Sequence, residues 1–88
     1  MKAAFLASFL KDVKKLRDAK IQRAVTQAIL NVEEAKSTEQ IRSLKRLSGH
    51  HEYYRIRIGD WRIGVKIERD QVTFIRCLHR REIYRFFP

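Results

Sequence analysis

Residues 54–67 read YRIRIGDWRIGVKI, in which apolar and basic side chains alternate on both sides of the Gly59-Asp60 pair. Alternation of this kind predicts two β-strands, and a Gly-Asp pair between them predicts a tight two-residue hairpin turn. A two-residue loop fixes which residues lie opposite each other: Ile58 and Trp61, Arg57 and Arg62, Ile56 and Ile63, and Arg55 and Gly64. The stretch therefore predicts an antiparallel strand pair with a defined register.

The predicted hairpin has one apolar face and one basic face, because side chains alternate between the two faces of a strand. The apolar face carries Tyr54, Ile56, Ile58, Trp61, Ile63, Val65 and Ile67. The basic face carries Arg55, Arg57, Arg62 and Lys66, with no carboxylate before Glu68. Like charges that lie opposite each other destabilise a sheet, so this arrangement predicts an anion-binding surface. Gly64 beside Arg55 lacks a side chain, which predicts room for the backbone of a ligand.

The N-terminal half changes from strand to helical periodicity. Residues Lys2 to Leu6 predict a first strand, and Ser8 is the predicted N-cap of the helix that follows. That helix turns Phe9, Leu10, Val13 and Leu16 inward and Lys11, Asp12, Lys14, Lys15 and Arg17 outward. A break at residues 18–20 precedes a second helix from about Ile21 to about Ala35, whose apolar residues recur every three or four positions. The two helices predict a hairpin packed on a sheet.

The C-terminal half predicts further strands and a basic tail. Ile41, Leu44 and Leu47 recur every three residues, which predicts a short helical turn. Residues Val72 to Leu78 predict a strand that is apolar on both faces and therefore central, joined to the hairpin by a turn at Arg69-Asp70. An unbroken register through that turn sets Lys66 by Thr73, Gly64 by Ile75 and Arg62 by Cys77, and leaves Arg76 on the apolar face. The tail follows as HRREIYRFFP at residues 79–88.

The predicted fold is a single α+β domain spanning residues 1–88, with the order strand, helix, helix and three antiparallel strands. The helices cover one face of a small antiparallel sheet and leave the arginine-bearing face open.

Composition favours a polyanionic partner. Twenty Lys and Arg against ten Asp and Glu give the 88-residue chain a formal charge of +10, which indicates nucleic acid, an anionic membrane or an acidic protein. No stretch reaches transmembrane length. Cys77 is the only cysteine and lies in an apolar run, so it predicts a buried structural thiol in a reducing, cytoplasmic compartment.

Three segments together resemble the RelE/ParE superfamily of bacterial type II toxins: LSGHHEYYRIRIGDWRIGVKI, VTFIRCLHRREIYR and the opening FLASFLKDVKKL. The resemblance spans nearly the whole chain. In the RelE-like branch it implies an mRNA endoribonuclease that acts in the ribosomal A site without a metal or other cofactor. It also implies inhibition by an acidic antitoxin. In the ParE-like branch it implies a toxin that poisons DNA gyrase without an enzymatic activity of its own.

The RelE-like pattern implies functional residues at Arg55, Arg57, Arg62, Arg80 or Arg81, and Tyr84. Well-known members carry lysines at the two strand positions where this chain has Arg55 and Arg57. Arginine stays protonated, so neither residue is a good general base. Arg57 and Arg62 suit a phosphate clamp, since guanidinium groups match phosphate oxygens. Arg55 and Lys66 are predicted to bind RNA, and Tyr84 to stack on a base.

Metal-free RNA cleavage needs a base near the ribose 2′-OH, and its product is a 2′,3′-cyclic phosphate. His79 is one candidate for that base, because imidazole titrates near neutral pH; a structural histidine at a strand end is the alternative. Glu82 is a further candidate, with an ion pair to Arg81 or Arg85 as its alternative. His50-His51 predicts a solvated loop, because adjacent histidines point apart and no second cluster lies at metal-ligand spacing.

The sequence thus predicts a ribosome-dependent mRNA endonuclease toxin with a cognate acidic antitoxin and no membrane association. A gyrase-poisoning toxin is the main alternative, and a general nucleic-acid-binding module or an inactive toxin is the third. The convergence of basic residues with Tyr84 favours the first function, because a protein-binding toxin does not need it.

Overall fold

A computed structural model describes all residues, 1–88, as a five-stranded sheet with helices on its face and edge. The strands are β1 Lys2–Phe5, β2 Leu44–Arg46, β3 Tyr53–Ile58, β4 Trp61–Glu68 and β5 Gln71–His79. The helices are α1 Ala7–Lys14, α2 Ala19–Glu34 and α3 Ile83–Phe86, and a 3₁₀ turn covers Thr38–Gln40. The α+β class and the two-helix segment predicted from the sequence are confirmed.

The sheet has the order β1-β5-β4-β3-β2, which differs from the prediction in two respects. First, β1 pairs in parallel with β5, so the sheet is mixed and not purely antiparallel. Second, Leu44 begins an edge strand that pairs with β3, and the predicted helical turn through Ile41, Leu44 and Leu47 is wrong. Apolar residues spaced by three suit a helical turn, but Ser43 adopts a φ of 60° and redirects the chain to pair with β3.

The predicted β3–β4 hairpin is confirmed in every pair. Ile58 lies opposite Trp61, Arg57 opposite Arg62 and Arg55 opposite Gly64. Gly59 has a φ of 61°, a left-handed conformation that glycine adopts without strain, so the Gly-Asp turn forms as the sequence indicates. This hairpin fixes which side chains share the arginine-bearing face.

The β4–β5 pairing contains a bulge that shifts the predicted register by one residue. Lys66 pairs with Thr73 as predicted, but Gly64 pairs with Arg76 and Arg62 with Leu78, after a break between Gly64 and Val65. A bulge inserts one unpaired residue and exchanges the faces of those beyond it. Arg76 therefore shares a face with Gly64 and does not lie on the apolar face.

Helix α1 runs along the part of β5 that β1 leaves unpaired. The Ser8 hydroxyl donates to the carbonyl of Ile75 at 2.6 Å, and Asp12 accepts from the Cys77 N–H at 2.9 Å. Ser8 is thus not the N-cap: Leu6 holds that position without a side-chain hydrogen bond. Asp12, predicted to point outward, is buried because it satisfies this exposed strand edge.

The main core lies between α2 and the sheet. Asp18 caps α2 by accepting from the N–H groups of Lys20 and Ile21. The buried residues of the core include Val25, Val32, Ile56, Ile63, Val65, Val72 and Phe74. Cys77 is buried with them as predicted. None of the helices is long and apolar enough to cross a bilayer.

Candidate functional site: an arginine cluster beside the C-terminal tail

The C-terminal tail packs on the face of the sheet that carries the arginines. Ile83 and Phe87 are buried there, although both lie apart from the main core. The Phe87 ring lies over Gly64, and Tyr53 meets that ring edge-on at 5.7 Å. The predicted room above Gly64 is therefore filled by the protein's own Phe87, and the prediction of a ligand backbone at this point is wrong.

The turn between β3 and β4 anchors two of the predicted arginines. Nη1 of Arg62 donates to the carbonyl of Gly59 at 2.7 Å and to that of Trp61 at 2.9 Å. The backbone N–H of Arg80 donates to the carbonyl of Asp60 at 2.7 Å. The end of β5 is thereby held at the same turn, which brings Arg80 toward Arg62. Nε of Arg80 also lies 3.7 Å from an Asp60 carboxylate oxygen, in an exposed ion pair.

Arg62 lies at the centre of the cluster. Partial burial lowers the pKa of the Arg62 guanidinium, and the positive charges of Arg55, Arg57 and Arg80 lower it further. Tyr84 acts on the pKa of Arg62 in the opposite direction. The cluster of Arg55, Arg57, Arg62 and Arg80 with Tyr84, hereafter the arginine cluster, thus comes from β3, β4 and the tail. A concentration of positive charge of this kind favours an anion.

The other members of the cluster differ in how firmly they are held. Nη1 of Arg55 donates to the carbonyl of Ser43 at 2.7 Å, so this guanidinium is positioned by the start of β2. Arg57 is exposed on β3 opposite Arg62. Tyr84 is 59% exposed, which leaves its side chain accessible for stacking on a planar ligand.

Lys66 lies away from this cluster and its charge is already paired. Its ammonium nitrogen is 3.4 Å from Glu68 and 3.6 Å from Glu52, and it sits over the Tyr53 ring. The hydrogen bond and the negative charge of Glu68 raise the pKa of Lys66. An RNA contact by Lys66 stays a prediction, and its carboxylate partners would compete with it.

His79 lies on the other side of the sheet from the arginine cluster. Its Cα pairs with Trp61, whose ring packs against the main core, and the two rings meet edge-on at 5.7 Å. Nδ1 of His79 accepts from the backbone N–H of Arg81 at 3.2 Å. This position fits the structural alternative better than a role in proton transfer. Arg81 is exposed and does not affect the pKa of Arg62, whereas Arg80 does.

The structure also bears on two other questions raised by the sequence: whether Glu82 is a base, and whether any residues could bind a metal. Glu82 lies 3.8 Å from Arg85, the ion pair weighed against a role as a base. No three His, Cys, Asp or Glu side chains lie close enough together to hold a metal ion.

A cleft next to Arg55 includes residues that the sequence did not indicate as functional. The cleft has a volume of about 440 Å³ and lies between the β2–β3 connection and the tail. Lys45, Arg46 and His50 line it together with Arg55 and Tyr84. Lys45 and Arg46 belong to a strand predicted to be helical, and His50 to a loop predicted to be solvated. The sequence signal that could have indicated this cleft is the Lys45-Arg46 pair shortly before Gly49-His50-His51.

Comparisons with known proteins identify the family of the chain. The sequence profile of the ParE toxins of type II toxin–antitoxin systems matches residues 4–84. A protein named toxin RelE3, from Methanocaldococcus jannaschii, is 36% identical over 89 residues that span the whole of both chains.

Solved structures give the same result. A RelB–RelE antitoxin–toxin complex from Methanococcus jannaschii contains a chain that superimposes with a TM-score of 0.81, at 34% identity, covering 97% of this chain and 99% of that one. An archaeal RelE–RelB complex from Pyrococcus horikoshii gives a TM-score of 0.72 at 16% identity, covering 90% and 93%, and supports the fold alone. The chain therefore belongs to the RelE/ParE superfamily and is a RelE-like toxin of a type II toxin–antitoxin system.

Proposed function

We propose that this toxin is an endoribonuclease that cleaves mRNA on the ribosome in the cytoplasm and needs no metal ion. The observation that carries the proposal is the convergence of Arg55, Arg57 and Arg80 on Arg62. Bringing like charges together costs free energy that a bound polyanion offsets. An RNA backbone, in which phosphodiester groups follow one another along the chain, matches this spread of guanidinium groups better than a single carboxylate does.

Each member of the site has a role in the proposed reaction. Arg62 and Arg57 hold the scissile phosphate and stabilise the charge that develops on its oxygens in the transition state. Arg80 extends that clamp toward the leaving 5′-oxygen. Arg55 holds the neighbouring nucleotide, and Tyr84 stacks on a base. Attack by the ribose 2′-oxygen gives a 2′,3′-cyclic phosphate and a free 5′-hydroxyl.

A cognate antitoxin is the proposed protein partner. A solved relative at 34% identity is a complex of RelE with RelB, and a charge of +10 favours an acidic partner. We expect the antitoxin to cover the arginine cluster or to displace the tail around Tyr84, with carboxylates meeting the arginines. Contacts between opposite charges predict fast association that slows as salt increases.

Gyrase poisoning is the second candidate function, because the matching family profile carries the ParE name. Primer extension on a reporter mRNA after induction of the toxin distinguishes the two. Discrete cuts within the translated region support the ribonuclease. Intact mRNA together with gyrase-linked DNA breaks would reject it in favour of the gyrase poison.

A further inference from the structure

The cleft beside Arg55 has the size and lining of a nucleotide-binding site. Its volume of about 440 Å³ falls within the roughly 300–1,000 Å³ typical of small-ligand pockets. Lys45 and Arg55 supply positive charge, Tyr84 supplies an exposed ring, and Phe87 provides an apolar wall. The Arg46 guanidinium lies over the Tyr54 ring on the other face of the sheet. The cleft begins at Arg55, which precedes Arg57 by two residues in β3. Alternate residues of a strand are about 7 Å apart, so the cleft adjoins the Arg57–Arg62 pair.

His50 is the one histidine that lines this cleft, and the mechanism above does not use it. Its backbone N–H donates to the carbonyl of Leu47 at 3.2 Å, which closes a turn around Gly49. Its ring meets Tyr53 edge-on at 5.8 Å, and Tyr53 in turn packs on Phe87. A histidine in a predicted solvated loop therefore contacts Tyr53, which packs on the Phe87 wall of the cleft.

His51 is the natural comparison for His50. The two residues are adjacent and of the same type, and both are exposed. His51 does not line the cleft with Arg55 and Tyr84; it borders a separate depression formed by the loop itself. The loop thus presents one of its two imidazoles to the proposed RNA site.

The proposed cleavage needs a proton acceptor that the arginine cluster cannot supply, because guanidinium groups remain protonated. His79 lies against Trp61 on the other face. We propose that His50 is the catalytic residue that takes the proton from the ribose 2′-hydroxyl. This inference rests on the proposed ribonuclease function and identifies its general base.

The step balances with the groups present and solvent. The neutral imidazole of His50 accepts the 2′-hydroxyl proton while the 2′-oxygen forms a bond to phosphorus. The bond from phosphorus to the 5′-oxygen breaks, its electron pair stays on that oxygen, and the oxygen takes a proton from water. The imidazolium then returns its proton to solvent. Lys45 from β2, Arg55 from β3 and Tyr84 from the tail line the cleft with His50, and Tyr53 meets the imidazole edge-on.

Single-turnover cleavage of mRNA on purified, programmed ribosomes tests the inference. Rates are measured across pH for the wild-type toxin, His50→Gln and His51→Gln, with melting curves for all three. The wild-type rate should rise with pH through one ionisation, because only a neutral imidazole accepts a proton. His50→Gln should lower the rate about 100-fold or more and remove that ionisation. His51→Gln should change neither.

The possible failures are distinguishable. If wild type cleaves and His50→Gln cleaves at a similar rate, the inference is overturned while the ribonuclease function stands. If His50→Gln is slow but keeps the wild-type ionisation, His50 contributes to binding or positioning and is not the base. If the wild-type toxin cleaves no mRNA, the proposed function and the inference both fail.

Discussion

The ring of Phe87 occupies the space that a side chain on residue 64 would need. A Cβ built on Gly64 would lie 2.6–2.7 Å from three atoms of that ring, far inside van der Waals contact. Gly64 thus lets the tail pack directly on the sheet, and this packing positions Tyr84, which precedes Phe87 by three residues, next to the arginines of the cluster. The glycine holds the protein's own tail in place and does not admit a ligand.

Gly64→Ala should therefore release the tail. We expect the added methyl group to cost about 1–3 kcal/mol in the free energy of unfolding, because overpacking displaces the ring. Amide hydrogen exchange should increase for residues 83–87, and mRNA cleavage should slow. In a Phe87→Ala background the same methyl group has no ring to displace, so it should have little further effect. Additive costs in the double variant would contradict this contact.

Asp12 should be the most sensitive acidic residue for stability. Its carboxylate accepts from Nε of Arg76 at 2.7 Å, from Nη2 of Arg76 at 3.1 Å and from the Cys77 N–H. Asp12→Ala leaves all three donors without this partner, which we expect to cost about 3 kcal/mol. Urea denaturation measures the loss. The exposed Glu33→Ala is the control and should change stability by less than about 0.5 kcal/mol. Equal effects would show that the Asp12 network contributes little.

Arg80 and Arg81 should differ in activity although they are neighbours in sequence. Arg80 is close enough to lower the pKa of Arg62, and Arg81 is not among the groups that affect it. Arg80→Ala should slow single-turnover mRNA cleavage about 10- to 100-fold, whereas Arg81→Ala should slow it less than about threefold. The reverse order would place the clamp at Arg81.

The buried thiol of Cys77 should make the free energy of unfolding decrease as the pH rises into the alkaline range. Burial, assisted by the negative charge of Asp12, raises the pKa of its thiol to about 12, from 9.0 for an exposed thiol. Between these values the unfolded chain has lost the proton that the folded chain keeps, so the free energy of unfolding falls as pH rises. Urea denaturation measures the free energy of unfolding across this pH range. That free energy should fall less steeply with pH for Cys77→Ala, because the variant lacks the one proton that the thiol loses on unfolding. Parallel curves would contradict a buried, protonated thiol.

The parts of the fold that local rules determine were predictable. The β3–β4 register follows from strict alternation and a two-residue turn, and every predicted pair is present. The convergence of Arg55, Arg57 and Arg62 on one face follows from that register alone. The family pattern indicated Tyr84 and either Arg80 or Arg81, and it did not distinguish between the two arginines.

The parts that depend on distant contacts were not predictable. Three residues at Leu44–Arg46 form a strand because β3 offers a free edge, and their own pattern does not show it. The β-bulge that places Arg76 beside Gly64 has no local marker. The burial of Asp12 depends on β1 ending before β5 does, which leaves the Cys77 N–H for α1 to satisfy.

The central claim, that the arginine cluster cleaves mRNA, is tested most directly at Arg62. The measurement is the single-turnover cleavage rate of ribosome-bound mRNA for Arg62→Ala, with Arg23→Ala as a control that removes an exposed arginine from α2. Loss of a phosphate contact that strengthens in the transition state should cost roughly 3 kcal/mol, or about a hundredfold in rate. Arg23→Ala should cleave at nearly the wild-type rate. A folded Arg62→Ala toxin that cleaves as fast as wild type would contradict the claim.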